Sequence, residues 1–295
     1  MLALALVALL AGPDLDTTVA VQRGQRLEIS AQTGEIVVRT WARNAVRIQA
    51  TGENLARIGI DQSASVVSIR GAASRGAPGS VSFELSVPAW MSLRLSGVNT
   101  GMRVAGTDAP VTVETLNGDV EVTGGNGLVS LRSVQGAVTL IGAKGKLDVN
   151  SVNSEVRVRD VSGELQAETV NGDIRLEKVQ SDNVEASTVN GDVAYDGTIR
   201  ASGRYRFATH NGDVTVTVAE GTSAVVSVAT FQGDFESSFP VTLTERHGKR
   251  FEFTLGGGSA RIDLESFGGT IRLVRPGAAA ERRHGDEERD RDRDE

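Results

Sequence analysis

The chain has 295 residues, no cysteine, 34 glycines, 4% aromatic residues and a formal net charge of -7. Without cysteine there can be no disulfide, thiolate nucleophile or cysteine-bound metal. The negative charge, with no basic patch interleaved with aromatic residues, argues against a nucleic-acid partner. Abundant Val and Thr with few helix-forming stretches predict an all-β protein of many short strands.

The N-terminal residues 1–12 contain an unbroken apolar run, LALALVALLA, of the length of a signal-peptide core. The run is too short to cross a bilayer as a helix. No Lys or Arg precedes it and no clean small-residue cleavage site follows. We predict export to the periplasm, cell envelope or extracellular space, with no transmembrane span in the mature chain. A cytosolic N-terminal strand is the alternative.

Residues 93–237 repeat one short motif, Thr-aliphatic-Asn-Gly-Asp-aliphatic, as in TLNGDVEV, TVNGDIRL and TVNGDVAY. Its Asn or Gln recurs every 18 residues at first, then after 19, 21 and 21 residues. Such a fixed period is typical of stacked coils. The eight positions are Asn99, Asn117, Gln135, Asn153, Asn171, Asn190, Asn211 and Gln232.

Apolar and polar residues alternate on both sides of each motif, which indicates β-strands with one buried face. Two architectures fit: an antiparallel meander of Asn-Gly hairpins, or a parallel β-solenoid whose coils stack about 4.8 Å apart. The residue before Asn is aliphatic, as in Leu116, Val152 and Val170. A hairpin would expose it, whereas a coil that turns a corner could bury it. The sequence therefore favours a parallel β-solenoid, right-handed by preference, with coils of 18–21 residues.

The motif also predicts how each corner is built. We expect the hydroxyl two positions before Asn to point inward and bond to corner backbone. Glycine would supply a positive φ, and stacked Asn side chains would share amide hydrogen bonds. The predicted corner turns are Asn117, Gly118, Asn171, Gly172, Asn190, Gly191, Asn211 and Gly212.

The remaining segments predict one domain over residues 13–275. Capping strands precede the clear coils 93–237, residues 72–80 form a loop, and an irregular last coil, ARIDLESFGGTIRLVR, ends the domain. Residues 276–295 are a mixed-charge run that cannot bury enough surface to order itself, so we expect a disordered tail. A tail that docks on a charged envelope component is the alternative.

The repeated motifs, together with the segments EIVVRTW and SVPAW, resemble a known bacterial family of β-strand repeats. This family is labelled "putative adhesin" and consists of domains of unknown function found in exported and envelope proteins. The resemblance covers roughly residues 15–275. It implies a binding or envelope-stress role and offers no catalytic residues to carry over.

An acidic column follows the corner glycines and is the sharpest candidate for chemistry. Calcium could relieve the repulsion between stacked carboxylates, as in calcium-binding β-rolls. One carboxylate per coil, however, falls short of the six to eight oxygens that Ca²⁺ takes, and Asp after Asn-Gly also caps free backbone N–H groups. We favour the capping interpretation. The column is Asp119, Glu155, Asp173, Asp192, Asp213 and Asp234.

Other candidates for catalysis or ligand binding are weaker. Asp173 and Asp192 could act as the carboxylate pair of a solenoid hydrolase, but no aromatic sugar platform lies beside them. Trp41 and Trp90 fall in the capping region, where we expect them to seal the first coils. The histidines are scattered and make no metal site by spacing: His210, His247 and His284.

We therefore predict a non-enzymatic exported β-solenoid, without cofactor, that presents a rigid binding or adhesive surface. Its partner would be an envelope or surface protein, a glycan, or another copy of the chain. Two alternatives stay open: a self-assembling scaffold of the bactofilin type, and a calcium-binding β-roll.

Overall fold

The computed structural model describes residues 15–52, 55, 58–71, 80–241, 243–247 and 249–277. These residues form 23 β-strands and no α-helix, which confirms the all-β prediction. The predicted signal segment 1–12 lies outside the described residues. So do the loop 72–80 and the tail 276–295, apart from Ser80, Pro276 and Gly277.

The middle of the molecule consists of coils that wind about one axis and pair in register with their neighbours. Each coil has a first face, which precedes the Asn-Gly turn, and a second face, which follows it. Pairing between neighbouring coils is parallel throughout this region. The strands are β7 (Ser92–Thr107), β8 (Val111–Asn117), β9 (Val120–Gly124), β10 (Asn126–Gln135), β11 (Val138–Ile141), β12 (Lys144–Ser151), β13 (Val156–Arg159), β14 (Ser162–Glu168), β15 (Ile174–Asn190), β16 (Val193–Asn211) and β17 (Val214–Thr217).

The N-terminal end is closed by strands of both directions. The long strand β2 contributes to both faces and pairs in parallel with β7, β5 and β6. Beyond it, β4 lies antiparallel to β5, β3 antiparallel to β6, and β1 antiparallel to β3. The sheet is therefore mixed. These strands are β1 (Leu15–Ala20), β2 (Arg26–Trp41), β3 (Ala45–Gly52), β4 (Gly59–Gln62), β5 (Val66–Arg70) and β6 (Val81–Pro88).

At the C-terminal end, the coil that is last in sequence is not last in space. Strand β22 pairs in parallel with β16 on one side and β18 on the other, and β23 lies between β17 and β19. The hairpin of β20 and β21 then pairs antiparallel to β18. These strands are β18 (Ala224–Thr230), β19 (Phe235–Ser237), β20 (Leu243–His247), β21 (Arg250–Leu255), β22 (Ala260–Ser266) and β23 (Ile271–Val274).

The core lies between the two faces and is filled by one inward column from each. Each fully buried Val, Leu or Ile side chain stabilises the fold by about 1.5–3 kcal/mol. The two columns that the sequence predicts to face inward are buried, except that Phe235 at the C-terminal end is half-buried. The first-face column is Val113, Leu131, Val149, Ala167, Ala186, Phe207 and Val228, and the second-face column is Val120, Val138, Val156, Ile174, Val193 and Val214.

One coil is wider than the others and is filled by aromatic side chains. Tyr195, Tyr205 and Phe207 are buried, with ring centroids of Tyr195 and Phe207 4.8 Å apart. The Tyr205 hydroxyl donates to the carbonyl oxygen of Ser181 at 2.7 Å and accepts the backbone N–H of Arg200 at 2.8 Å. This single hydroxyl therefore ties together the enlarged turn opposite the Asn-Gly corner.

Candidate binding surface

Close approach of neighbouring coils dictates glycine at the Asn-Gly corner. A Cβ on Gly191 would lie 2.1 Å from the carbonyl oxygen of Gly172, and a Cβ on Gly212 would lie 2.0 Å from that of Gly191. Gly118, Gly191 and Gly212 also have positive φ, but Gly172 does not. Positive φ therefore explains only some corner glycines, and stacking against the next backbone explains the others.

Behind each corner glycine, a buried hydroxyl holds the turn from inside. Thr188 Oγ1 donates to the carbonyl oxygen of Gly172 at 3.0 Å, and Thr209 Oγ1 to that of Gly191 at 2.8 Å. Each hydroxyl thus satisfies a backbone acceptor of the preceding coil, as buried polar groups require. The same bond recurs from Thr115 to Thr100, Ser133 to Gly118, Ser151 to Gly136, and Thr169 to Ser154.

In front of the glycines, the asparagine side chains form a ladder. Asn171 Nδ2 donates to Asn153 Oδ1 at 2.9 Å, and Asn190 Nδ2 to Asn171 Oδ1 at 2.8 Å. Asn211 donates to Asn190 in the same way, also at 2.8 Å. The ladder keeps equivalent corners in register along the axis.

The acidic column caps backbone groups of the neighbouring coil. Asp119 Oδ1 accepts the N–H of Ala137 at 2.8 Å, and Asp173 Oδ1 accepts that of Asp192 at 3.0 Å. Asp192 Oδ1 in turn accepts the N–H of Asp213 at 2.8 Å. The candidate pair Asp173 and Asp192 is therefore joined through a cap. Within the described residues, no group of three or more His, Cys, Asp or Glu is placed to bind a metal.

The aliphatic residue before each Asn points outward, whereas the sequence predicted that it points inward. Alternation continues to the end of the first-face strand, so Thr115 points inward and Leu116 points outward. Leu116 is 47% exposed and Val189 is 43% exposed. These residues form a continuous stripe on the outer surface, which we call the apolar ridge. It consists of Val98, Leu116, Val134, Val152, Val170, Val189, His210, Phe267 and Phe231 in spatial order.

At its C-terminal end the ridge becomes aromatic. The His210 and Phe267 rings stack with centroids 4.6 Å apart, and those of Phe267 and Phe231 stack at 5.4 Å. Both faces of the middle ring, Phe267, are therefore covered by its neighbours. A sugar platform needs an open ring face, which Phe267 does not offer.

Carboxylates border the ridge on both sides. Two positions before the ridge residues lie Glu114, Glu168 and Glu265, with Arg132 the basic residue among them. Arg132 pairs with Asp148 at 3.5 Å. Three positions after the ridge residues lies the acidic column. Five bordering carboxylates make no ion pair with any described residue: Glu114, Asp119, Glu168, Asp192 and Asp234.

The tryptophans lie away from the ridge, in the N-terminal end of the fold. Trp41 Nε1 donates to the carbonyl oxygen of Ala45 at 2.7 Å, and Trp90 Nε1 to Asn44 Oδ1 at 3.3 Å. An arginine guanidinium lies over each ring. These contacts hold one turn, and Trp90 also packs against the core, while a sealing role for both residues stays a prediction. Of the other two histidines, His247 belongs to β20 and His284 lies outside the described residues.

A family model with the description Toastrack DUF4097 matches residues 16–274. The chain belongs to this family. The match spans the repeats, both closed ends and the whole apolar ridge, which agrees with the resemblance carried by the repeated motif. No curated protein matches this Toastrack chain. In its described part, no helix has the length and apolar character needed to cross a membrane.

Solved structures resemble this chain at low sequence identity. A putative adhesin from Parabacteroides merdae is 9% identical, with a TM-score of 0.50 over 89% of this chain and 97% of that one. A putative adhesin from Bacteroides fragilis is 11% identical, with a TM-score of 0.42 over 90% of this chain and 98% of that one. A putative lipid binding protein from Parabacteroides distasonis is 12% identical, with a TM-score of 0.42 over 89% and 97% of the two chains.

Proposed function

We propose that this Toastrack protein is an exported, non-enzymatic domain that uses the apolar ridge as a rigid binding surface. The observation that carries the proposal is the column of aliphatic and aromatic side chains on one line of the solenoid, all exposed except the half-buried Val134. Contiguous apolar surface of this kind marks interaction sites in soluble proteins. The similarity to the P. merdae adhesin structure supports the fold on which the ridge depends.

The ridge is not required by the core of the fold. The inward columns already fill the space between the two faces, and the corners are held by buried hydroxyls and asparagine bonds such as those of Thr188 and Asn190. Polar residues would serve as well at solvent-facing strand positions. The aliphatic residues at most of these positions are therefore available for contact with a partner.

The two alternatives have weaker support. End-to-end assembly of a scaffold needs open strand edges, and antiparallel strands cover much of both ends of this solenoid. A calcium roll needs several oxygens per ion, whereas Asp119, Asp173 and Asp192 each use one oxygen to cap backbone. We further propose that the coil is right-handed, as parallel β connections prefer, and that no residue is catalytic.

Binding of the full-length chain to an isolated bacterial envelope fraction tests the proposal. We expect saturable binding that falls at least tenfold in a ridge variant carrying Val152→Ser, Val170→Ser and Val189→Ser. Leu128→Ser is the matched control, because Leu128 is 50% exposed but lies near the opposite corner. Equal binding by the ridge variant and the wild-type chain would refute the ridge as the binding surface.

A further inference from the structure

The shape of the apolar ridge constrains the chemistry of its partner, an inference that rests on the proposed function. The stripe spans nine successive coil positions, from Val98 to Phe231. Coils about 4.8 Å apart give it a length of about 38 Å. It is one side chain wide, because the columns on either side are mostly polar. A matching partner is therefore long, narrow and apolar along one line.

Charge selects among possible partners. The five bordering carboxylates without ion pairs lie on both sides of the ridge, at Glu114 and Glu168 on one side and Asp119, Asp192 and Asp234 on the other. A second copy docked ridge to ridge would bring carboxylates against carboxylates, and like charges at an interface disfavour association. A surface of anionic lipids would be repelled for the same reason. The complementary partner carries cationic groups on both flanks of an apolar stripe.

The spacing of the ridge favours a helix over an extended strand. Along a strand, side chains on one face recur about every 6.6 Å, which does not match coils about 4.8 Å apart. An α-helix has a pitch of about 5.4 Å, so its apolar stripe meets successive coils with a small mismatch. The aliphatic part of the ridge, Val98 to Val189, spans about 24 Å, or about 16 helical residues.

We propose that the apolar ridge binds a cationic amphipathic helix of a partner protein, aligned with the solenoid axis. The helix lays its apolar stripe on the ridge, and its flanking Lys or Arg side chains meet the bordering carboxylates. Helix docking through regularly spaced apolar anchors is a recurrent recognition mode. The asparagine bonds and the corner hydroxyls hold equivalent ridge residues in register from coil to coil, so the surface is preorganised for its partner.

Two synthetic peptides test the inference with the full-length chain. One is an 18-residue Leu/Lys amphipathic helix, and the other has the same Leu pattern with every Lys replaced by Glu. By fluorescence anisotropy at low salt, we expect the Lys peptide to bind at least tenfold more tightly than the Glu peptide. Raising the salt concentration should weaken the Lys complex, because exposed charges are screened.

Variants locate the binding. The triple ridge variant Val152→Ser, Val170→Ser and Val189→Ser should lose at least tenfold in affinity for the Lys peptide, while Leu128→Ser should lose nothing. Glu114→Gln with Glu168→Gln should weaken binding several-fold and reduce its salt dependence. Asp196→Asn is the matched control, because Asp196 is an exposed carboxylate on the second face. Circular dichroism verifies that every variant is folded.

Several outcomes would overturn the inference. Equal affinity for the two peptides would refute selection of the partner by charge. Absence of binding to either peptide would refute a helix as the partner. Ridge-dependent sedimentation with phosphatidylcholine vesicles, without peptide binding, would assign the ridge to a lipid surface instead. None of these results decides the proposed function, because envelope binding that depends on the ridge is measured separately. If the chain showed neither ridge-dependent envelope binding nor peptide binding, both proposals would be rejected together.

Discussion

The two corners of each coil are built on different principles. The Asn-Gly corner repeats the same residue types, and its asparagine and aspartate residues bond to their equivalents in the neighbouring coil. The opposite corner changes from coil to coil, from Gly124-Gly125-Asn126 to Gly142-Ala143-Lys144 and Asp160-Val161-Ser162. It is held by local means: buried side chains such as Val161, and left-handed backbone at Asp160, Lys178 and Ser202.

The difference explains why residues of the apolar ridge stay in register although the coils differ in length. Irregularities of pairing lie at or near the opposite corner, between Ser162 and Leu165, between Glu177 and Val179, and between Ser181 and Asn183. At the Asn-Gly corner, Thr188 still pairs with Thr209 and Asn190 with Asn211. The variable corner thus absorbs extra residues, and the constant pairing at the other corner keeps the apolar ridge in register.

The largest expected effect comes from adding one methyl group at each kind of corner. In Gly212→Ala the new Cβ would lie 2.0 Å from the carbonyl oxygen of Gly191, so we expect unfolding free energy to fall by about 3 kcal/mol. In Gly142→Ala at the opposite corner the Cβ meets nothing within 4 Å, and only the positive φ costs about 1–2 kcal/mol. Urea denaturation measures both. Equal losses would show that the two corners are packed alike.

The corner hydroxyls should come next in size. Thr188→Val keeps the shape of a buried side chain but leaves the carbonyl oxygen of Gly172 without its 3.0 Å hydrogen bond. We expect a loss of about 2 kcal/mol in unfolding free energy by urea denaturation. Thr139→Val on the outer surface of β11 is the control and should change stability by less than about 0.5 kcal/mol. A neutral Thr188→Val variant would mean that the corner does not need its inner bond.

Alkaline pH should loosen the opposite corner through its tyrosine. Burial raises the pKa of both Tyr205 and Tyr195 above the ordinary value of 10.0. Above about pH 10 the unfolded chain releases these protons while the folded chain keeps them, so stability falls as pH rises. The fall can reach about 1.4 kcal/mol per pH unit for each tyrosine. Melting temperature against pH measures it, and Tyr205→Phe should flatten the decline above pH 10.

Periodicity in the sequence was sufficient to predict the coils, because equivalent residues stack and so must recur. The inward columns, such as Val113 with Val120, alternate visibly along the chain and are buried. The prediction that Leu116 points inward is wrong. It requires the side-chain facing to reset at the corner, whereas the strand runs on through Asn117. Period-two alternation carried past Thr115 would have placed Leu116 outside. The apolar ridge could therefore have been found from the sequence.

Other features have no local signal. Strand β22 inserts between β16 and β18, and nothing in its residues distinguishes an inserted coil from a final one, because both present the same alternation. The antiparallel strands at the ends likewise depend on which edges remain open once the coils have stacked. The Tyr205 hydroxyl bonds to Ser181, 24 residues earlier, across a turn whose enlargement breaks the repeat.

The smallest expected effect is a gain in stability at the opposite corner. Lys178 has a φ of 51°, a left-handed conformation that costs a side-chain-bearing residue about 1 kcal/mol. Lys178→Gly should therefore raise unfolding free energy by up to about 1 kcal/mol in urea denaturation. Lys178→Ala is the control, because it keeps the Cβ while losing the same exposed ion pair with Asp160. If Lys178→Gly were no more stable than Lys178→Ala, the left-handed backbone at Lys178 would not strain the opposite corner.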